Sequence, residues 1–391
     1  MLTNGLSKAT YRSLDAWRGV ACLSVIIYHT TGPAGTIPAS RSLAWIYEIT
    51  GRLGFGVTLF FVISGYCIAA SADKTQRLGQ PWHQYFVRRL RRIFPPLWAF
   101  FLLSAIAALS LERMSLAGPL LRHAHGGFTT IVSPMTLKPW QWLGNITLTE
   151  GWRGSILWRG GAGWWHGHTW SLGYEEQFYL VVGMLLLTTG QRWLRAAGAL
   201  TACIAMAYIF LPLGPVAGFF VDGSWLFFAY GLALYFHRTE ATGSGLLLIP
   251  AAVVLGIGLG LRDGNDHLIV AAMFCLLLTV LGAWDGPIAT HRLTRPLSWC
   301  GTRCYSIYLL HWPITKIVCG IGLAFGLFTP VKTLAILVPT SLALSLLAAI
   351  PFHHFVERRF LNAPQPSRRI PSSPDVVLAM SPMAGVDRLP G

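Results

Sequence analysis

The chain has 391 residues, of which 53% are hydrophobic and only 12% are charged. Because an ordinary soluble domain carries about 25% charged residues, this composition argues against a soluble enzyme, a nucleic-acid-binding module, a disordered protein and a disulfide-framed secreted domain. It predicts an all-α polytopic protein embedded in the lipid bilayer. The formal net charge of +15 fits this class, since basic residues concentrate in the cytoplasmic loops of membrane proteins. No nucleic-acid partner is expected.

Apolar segments recur along the whole chain. A membrane-spanning helix needs roughly 20 mainly apolar residues. The sequence therefore predicts a bundle of about ten transmembrane helices, although the segment at 224–237 is short for a bilayer. The segments are 13–31, 53–72, 94–111, 169–188, 193–212, 224–237, 245–261, 267–284, 303–322 and 332–355.

The distribution of basic residues predicts the orientation. With the N-terminus inside, the inner connections hold 19 lysines and arginines and the outer ones hold 10. This bias places both termini in the cytoplasm and the protein, as a multi-pass protein, in the inner (plasma) membrane. Residues 1–360 form the predicted transmembrane domain. Residues 361–391 lack a hydrophobic period and are predicted to be a disordered cytoplasmic tail.

The first span carries two polar residues of interest, Arg18 and His29. Eleven residues correspond to about 16 Å along a helix, and three turns bring both side chains to nearly the same face. Arg18 would lie toward the cytoplasm and His29 toward the outside. Each also has a structural interpretation: Arg18 could extend to the inner interface, and His29 could be a hydrogen-bonded packing residue.

The second span and its exit combine small residues with a basic cluster. Glycine and serine at close spacing in the segment 54–66 favour close helix approach. Four arginines then precede the third span: Arg88, Arg89, Arg91 and Arg92. They are either positive-inside anchors that attract anionic lipid or a clamp for a phosphorylated cytoplasmic ligand.

The long connection at 112–168 is rich in tryptophan, which is typical of interfacial anchoring and also suits stacking on a sugar ring. The fourth span that follows contains Glu175 and Glu176. Adjacent helical residues point about 100° apart, so at least one carboxylate must face an internal polar cavity. Since they are expected near the depth of His29, the sequence predicts a histidine oriented by a carboxylate, the usual construction of a general base.

The remaining signals are weaker. His311, about halfway through the ninth span, is either a packed hydrogen-bonding residue or part of a polar path. The seven cysteines lie in or beside apolar segments, contain no Cys-x-x-Cys pair and predict no metal site.

Five of these stretches, taken in order, resemble the acyltransferase-3 family of integral membrane O-acyltransferases. Members of this family acylate the O-antigen of lipopolysaccharide, exopolysaccharides, nodulation factors and some macrolides. The resemblance covers about 11–360. The matching stretches are 14–29, 56–66, 88–95, 168–179 and 305–311.

The resemblance implies an enzyme that moves an acyl group, acetyl in the first instance, from acyl-CoA to a hydroxyl of a glycan or glycoconjugate, without a metal. The family's pattern of Arg, ten residues and His falls on Arg18 and His29. With Glu175 and Glu176, these are the predicted catalytic residues. His29 would either remove the proton of the acceptor hydroxyl or briefly carry the acyl group, and the sequence leaves both routes open. The oligomeric state is not predicted.

The donor site implied by the resemblance is the basic cluster before the third span. The family's Arg-x-x-Arg pair fits either Arg88 with Arg91 or Arg89 with Arg92, and the sequence leaves this register open. All four are therefore candidate residues for binding the acyl-CoA phosphates.

A different class of function remains as an alternative. Buried histidine and glutamate side chains also suit the proton relay of a proton-coupled small-molecule transporter. However, the spans show neither an inverted repeat nor paired broken helices.

Overall fold

The computed structural model describes residues 11–32, 41–113, 133–156, 163–211, 218–239 and 243–361. Within these ranges the chain is helical and no residue is in a β-strand. The predicted tail lies outside the described residues from 362 onward. In chain order the helices are α1 (Leu14–Thr31), α2 (Arg41–Arg52), α3 (Gly56–Arg77), α4 (Trp82–Arg113), α5 (Pro139–Ile146), α6 (Glu150–Ile156), α7 (Trp170–Thr189), α8 (Trp193–Phe210), α9 (Trp225–Thr239), α10 (Gly243–Asp263), α11 (Asp266–Val280), α12 (Asp285–Thr290), α13 (Arg295–Thr302), α14 (Cys304–Ala324) and α15 (Val338–Phe355).

Each predicted apolar segment coincides with a helix. The ten segments correspond to α1, α3, α4, α7, α8, α9, α10, α11, α14 and α15. α4 begins twelve residues before its predicted segment, so the four arginines lie within the helix rather than before it. The short segment corresponds to α9, which has 15 residues.

By length and apolar composition, six helical segments in the described ranges are able to cross a membrane. The predicted span 169–188 and all but the last two residues of the predicted span 193–212 belong to one of these segments, Gly167–Phe210. Gly190, with φ 54, makes the turn between α7 and α8. The all-α membrane class is thus confirmed, whereas the number of about ten spans is not.

α1 crosses α13 at very short range because a glycine on each helix removes the side chain there. A Cβ on Gly19 would lie 2.0 Å from the carbonyl oxygen of Leu297. A Cβ on Gly301 would lie 1.7 Å from the carbonyl oxygen of Asp15. The crossing therefore fixes the end of α1 that carries Arg18.

α3 and α9 pack against each other through the same kind of contact. A Cβ on Gly65 would lie 2.1 Å from the carbonyl oxygen of Phe228, and one on Gly231 would lie 2.1 Å from that of Val62. Small residues at helix crossings let backbones approach closely in membranes. This agrees with the prediction for segment 54–66, and it places the polar residues of α3 against the centre of the bundle.

Candidate active site

A narrow cavity of about 90 Å³ lies where α1, α3, α4, α7 and α14 meet. Three arginines line it: Arg18 from α1, and Arg89 and Arg92 from α4. Arg18 pairs with Asp15 over 2.6 Å and donates to the sulfur of Cys67 over 2.9 Å. Arg89 donates to the carbonyl oxygen of Cys67 over 3.1 Å. These bonds hold cationic groups around one buried space, which we call the arginine cavity.

The arginine cavity also contains Glu175. Its carboxylate accepts a hydrogen bond from Ser64 over 3.0 Å and another from the hydroxyl of Tyr179. The ring of Tyr179 in turn lies 5.4 Å from the guanidinium carbon of Arg89. Among the described residues that line this cavity, Glu175 is the only carboxylate. The cavity therefore keeps a cationic excess and suits an anionic ligand.

A second and larger cavity, of about 640 Å³, lies further along the same helices. His29 and His168 line it together with the indole rings of Trp170 and Trp312. Its wall also includes His267, whose Nδ1 lies 2.7 Å from the hydroxyl of Thr58. We call this space the histidine cavity. It combines aromatic faces and imidazole nitrogens with one arginine, Arg52, and one aspartate, Asp222, among its described lining residues, so this lining is polar without an excess of either charge.

Three imidazole rings lie close together beside the histidine cavity, with the ring of His311 near those of both His29 and His168. The ring of His311 lies 5.4 Å from that of His29 and 5.2 Å from that of His168, measured between ring centres. Nδ1 of His311 is 2.5 Å from the carbonyl oxygen of Tyr308. A carbonyl can only accept, so Nδ1 carries the proton and Nε2 is left with a free lone pair.

Several of these imidazole nitrogens lack a partner. Nε2 of His311 and both ring nitrogens of His168 are buried without a hydrogen bond to any residue that the structure describes. Nearly all buried polar atoms in proteins are hydrogen-bonded, so exceptions call for an explanation. Of the two residues, His168 lines the histidine cavity, whereas His311 is not among the described lining residues of either cavity.

The two cavities are stacked along the helix axes. On α1, the arginine cavity is lined by Arg18 and the histidine cavity by His29, which are about 16 Å apart at the helical rise. Among the described lining residues, the two cavities share only Val57 and Phe61. A thin apolar wall thus separates a cationic space from an imidazole-lined space.

Tyr308 links the two spaces beside this wall. Its hydroxyl lies 2.8 Å from the hydroxyl of Ser171 and donates to the carbonyl oxygen of His168. Ser171 and Tyr308 both line the arginine cavity. Because the Tyr308 carbonyl also holds His311, one residue orients polar groups on both sides of the wall.

The connection before α7 is folded against the bundle and positions His168. The side chain of Asn145 accepts from the backbone of Trp165 over 2.9 Å, and Glu150 pairs with Arg153 over 3.0 Å in a buried position. Trp165 is itself buried, so here the tryptophan-rich segment serves packing. Burial lowers the pKa of His166 to about 3, which keeps this imidazole neutral.

No group of three or more histidine, cysteine or acidic side chains in the described part of the chain is arranged to hold a metal ion.

Comparison with known proteins identifies the family. Residues 11–351 match the family model of acyltransferase-3, described as an acyltransferase domain. The chain belongs to the acyltransferase-3 family. The resemblance inferred from the five sequence stretches is thereby confirmed.

Curated relatives of this acyltransferase-3 protein are distant. It is 24% identical over 353 residues to the peptidoglycan O-acetyltransferase OatA of Listeria monocytogenes, covering 80% of this chain and 50% of OatA. It is 24% identical over 334 residues to a provisionally named peptidoglycan O-acetyltransferase, YrhL, of Bacillus subtilis, covering 77% and 48%. A provisionally named membrane-bound transacylase, BcsY, of Komagataeibacter xylinus is 26% identical over 317 residues, covering 77% and 72%.

The chain spans about half the length of OatA and YrhL. No solved structure gives a significant match to it. The family is therefore established by sequence.

The structure separates the two arginine registers that the acyltransferase-3 pattern left open. Arg89 and Arg92 both line the arginine cavity. Arg88 instead donates to the hydroxyl of Thr75 over 2.6 Å, and Arg91 is exposed. Only one of the two possible pairs, Arg89 with Arg92, therefore faces the internal space.

The expected pairing of His29 with a carboxylate is not found in the structure. Glu175 lies in the arginine cavity, and Glu176 lines neither cavity among the described residues. The physical reason is depth along α7. His168, two residues before this helix begins, lines the same cavity as His29, whereas Glu175 lies seven residues or about 10 Å further along. The aromatic and imidazole neighbours of His29 include His311 instead.

Sequence reasoning assigned no role to His168 and left that of His311 open. Both lie in stretches that resemble the family, and His311 is the one histidine in the span 303–322. For His311, its position within an apolar span was the sequence signal that could have indicated a functional role. Its convergence with His29 depends on how α1 and α14 pack, which local sequence does not reveal.

Proposed function

We propose that this protein transfers an acyl group, acetyl in the first instance, from cytoplasmic acyl-CoA to a hydroxyl of a glycan or glycoconjugate on the outer side of the inner (plasma) membrane. Membership of the acyltransferase-3 family supports acyl transfer. The similarity to OatA, a peptidoglycan O-acetyltransferase, and to YrhL, which is provisionally named as one, supports an acetyl group and a glycan acceptor.

The observation that carries this proposal is the stacking of two chemically different cavities on one set of helices. One is lined by Arg18, Arg89 and Arg92, and the other by His29 and His168. A reaction between an anionic donor and a neutral polyhydroxyl acceptor needs two such spaces that meet at the reacting atoms.

On the donor side, Arg89 and Arg92 bind the CoA phosphates. Guanidinium groups form paired hydrogen bonds with phosphate oxygens, which a lysine cannot reproduce. The arginine cavity is narrow, so it accommodates the pantetheine arm while the nucleotide stays outside. Arg18 lies deeper and holds the thioester end of the donor.

On the acceptor side, the histidine cavity binds the sugar. Its volume of about 640 Å³ is large enough for a small-molecule ligand. Trp170 and Trp312 offer ring faces for the C–H surface of a pyranose, and Asn265 and His267 offer polar groups for its hydroxyls.

His29 acts as the general base. In the proposed reaction the rings of His311 and His29, whose centres are 5.4 Å apart, approach until Nε2 of His311 accepts from the N–H of His29. The other nitrogen of His29 is then the proton acceptor. His29 removes the proton of the acceptor hydroxyl as the hydroxyl oxygen bonds to the thioester carbonyl carbon. The carbon–sulfur bond breaks, and the proton passes to the CoA thiolate. The products are an ester and free CoA.

The test uses the purified full chain in detergent with acetyl-CoA and a chitooligosaccharide as acceptor probe. Release of free thiol together with an ester on the sugar is the expected result. A proton-coupled transporter would leave acetyl-CoA intact. Thiol release no faster than without protein, across several glycan probes, would contradict the proposal.

A further inference from the structure

A lateral groove lies on the side of the bundle away from both cavities. α8 and α10 pack on either side of α9 and leave between them a space of about 440 Å³. Its lining is almost entirely apolar, with small residues such as Ala197, Gly198 and Ala233 giving it depth. The small residues keep the two flanking helices from filling the space. The groove is wide enough for a hydrocarbon chain.

The groove has the length of one bilayer leaflet. Along α8 its lining runs from Arg195 to Ala205, which is about 15 Å at the helical rise. Half of a hydrocarbon core of about 30 Å has the same length. Along α10 the lining runs in parallel from Leu248 to Leu259.

One end of the groove is cationic. Arg195 is the only charged residue among the described residues that line it. Its side chain is exposed, and it forms no ion pair within the described ranges. α8 begins at the end of the bundle where Gly183 of α7 packs on the ring of Phe86, which is also the end that carries the four arginines of α4. Arg195 therefore lies at the level expected for lipid headgroups.

We propose that the lateral groove is a binding site for an anionic phospholipid, with one acyl chain along α9 and the headgroup phosphate at Arg195. The apolar lining matches the chain, the groove length matches one leaflet, and the charge at its end matches the phosphate. This site is separate from acyl transfer and does not depend on the proposed function.

The occupant of the groove contacts the face of α9 opposite α3. The other face of α9 presents Gly231 to the backbone of α3 near Val62, next to Ser64 of the arginine cavity. A lipid in the groove therefore packs against α9 on the side away from α3, at the level where α9 contacts α3 beside the arginine cavity.

The first experiment tests the charge. Native mass spectrometry of the purified full chain in detergent measures binding of phosphatidylglycerol and of phosphatidylcholine with identical acyl chains. Wild-type protein should prefer phosphatidylglycerol by about fivefold, the effect of one basic residue near a headgroup. Arg195→Gln should abolish this preference. Arg192→Gln, an exposed arginine one turn earlier that does not line the groove, is the matched control and should retain it.

The second experiment tests the groove itself. Gly198 and Gly258 are both helical glycines where an added Cβ meets nothing within 4 Å, but only Gly198 lines the groove. Gly198→Leu should reduce binding of both lipids at this site at least about tenfold by occupying the space of the chain. Gly258→Leu should bind as wild type.

Two outcomes would overturn the proposal. If Arg195→Gln keeps the wild-type preference for phosphatidylglycerol, Arg195 does not contact the headgroup. Gly198→Leu that keeps wild-type affinity would place the lipid elsewhere on the surface. Since Arg195 is exposed, its variant folds even where the groove-filling variant does not.

Discussion

His29 illustrates how one side chain's neighbours change its assigned chemistry. The sequence predicts a carboxylate beside it, whereas the structure places His311 there with Nε2 unpartnered in the described part of the molecule. A carboxylate would stabilise a charged imidazolium. A neutral imidazole only fixes which nitrogen of His29 carries the proton. His29 is therefore expected to act as a transient base without a carboxylate partner to stabilise its protonated form.

Replacing His29 with glutamine should lower acyl transfer by about 10²–10⁴-fold, because glutamine keeps a hydrogen bond but cannot accept the proton. The rate of CoA release in the presence of a glycan probe measures this. His354→Gln, an exposed histidine on α15, serves as the control. Near-wild-type turnover of a well-folded His29→Gln protein would assign His29 to packing.

The two arginine registers can be separated by paired double variants. Arg89→Gln with Arg92→Gln should weaken acetyl-CoA binding at least about tenfold, because each charge-assisted bond contributes about 1.5–3 kcal/mol. Arg88→Gln with Arg91→Gln should change donor affinity much less, since these side chains point away from the cavity. Isothermal titration with a non-hydrolysable CoA analogue provides the measurement. Equal losses of affinity in both double variants would mean that the four arginines attract the anionic donor by their net charge and that no pair binds it specifically.

The two adjacent glutamates should behave differently. Glu175→Gln removes the one carboxylate among the described residues that line the arginine cavity. The remaining like charges then repel, and we expect CoA release to fall at least about tenfold. Glu176→Gln should stay within about threefold of wild type, because its side chain lines neither cavity. Steady-state kinetics of both variants decide this, and equal losses would contradict the assignment.

At the residue scale, the sequence predicted which side chains line internal cavities better than it predicted which of them lie close together. Arg18, His29 and Glu175 all line internal cavities, because an ionisable residue in an apolar span has few other places to lie. Their grouping depends on the depth and rotation of several helices. The sequence placed Glu175 at the depth of His29. In the structure His168, seven residues or about two turns earlier, lies at that depth instead.

At the scale of elements, helix positions were predicted well because apolar length is a local property. The ten segments coincide with helices to within a few residues at most ends. The start of α4 was missed, since its first twelve residues are polar or amphipathic and do not resemble a span. Small residues in the segment 54–66 predicted a close helix contact, but the sequence did not predict which helix would make it.

The crossing of α3 and α9 provides a stability prediction. Gly231→Ala would place a methyl group 2.1 Å from the carbonyl oxygen of Val62, so the helices must separate. Overpacking of this kind typically costs about 1–3 kcal/mol. Thermal unfolding in detergent should show a lower midpoint, accompanied by weaker donor binding, because α3 carries Ser64. Gly258→Ala, where nothing lies within 4 Å, is the control and should unfold like wild type. An unchanged midpoint for Gly231→Ala would mean that the two helices separate without cost.

At the scale of the whole molecule, the orientation remains a prediction from the 19-to-10 bias of basic residues. A reporter fused after residue 360 should report a cytoplasmic location, and one inserted in the connection 112–168 should report the opposite. Reporter activity in intact cells is the measurement. A tail found outside would reverse the sides proposed for the donor and acceptor cavities.

The apolar wall of Val57 and Phe61 has a consequence for the energetics of the cell. A membrane that stores a proton gradient tolerates no continuous aqueous channel, yet acyl transfer as proposed delivers a chemical group from one compartment to the other. Both cavities border the same two apolar side chains among their described lining residues. In the proposed reaction only the acyl group passes between the two spaces, and we expect these side chains to hold back ions and bulk water. The enzyme would then move an acyl unit across the membrane without an open channel.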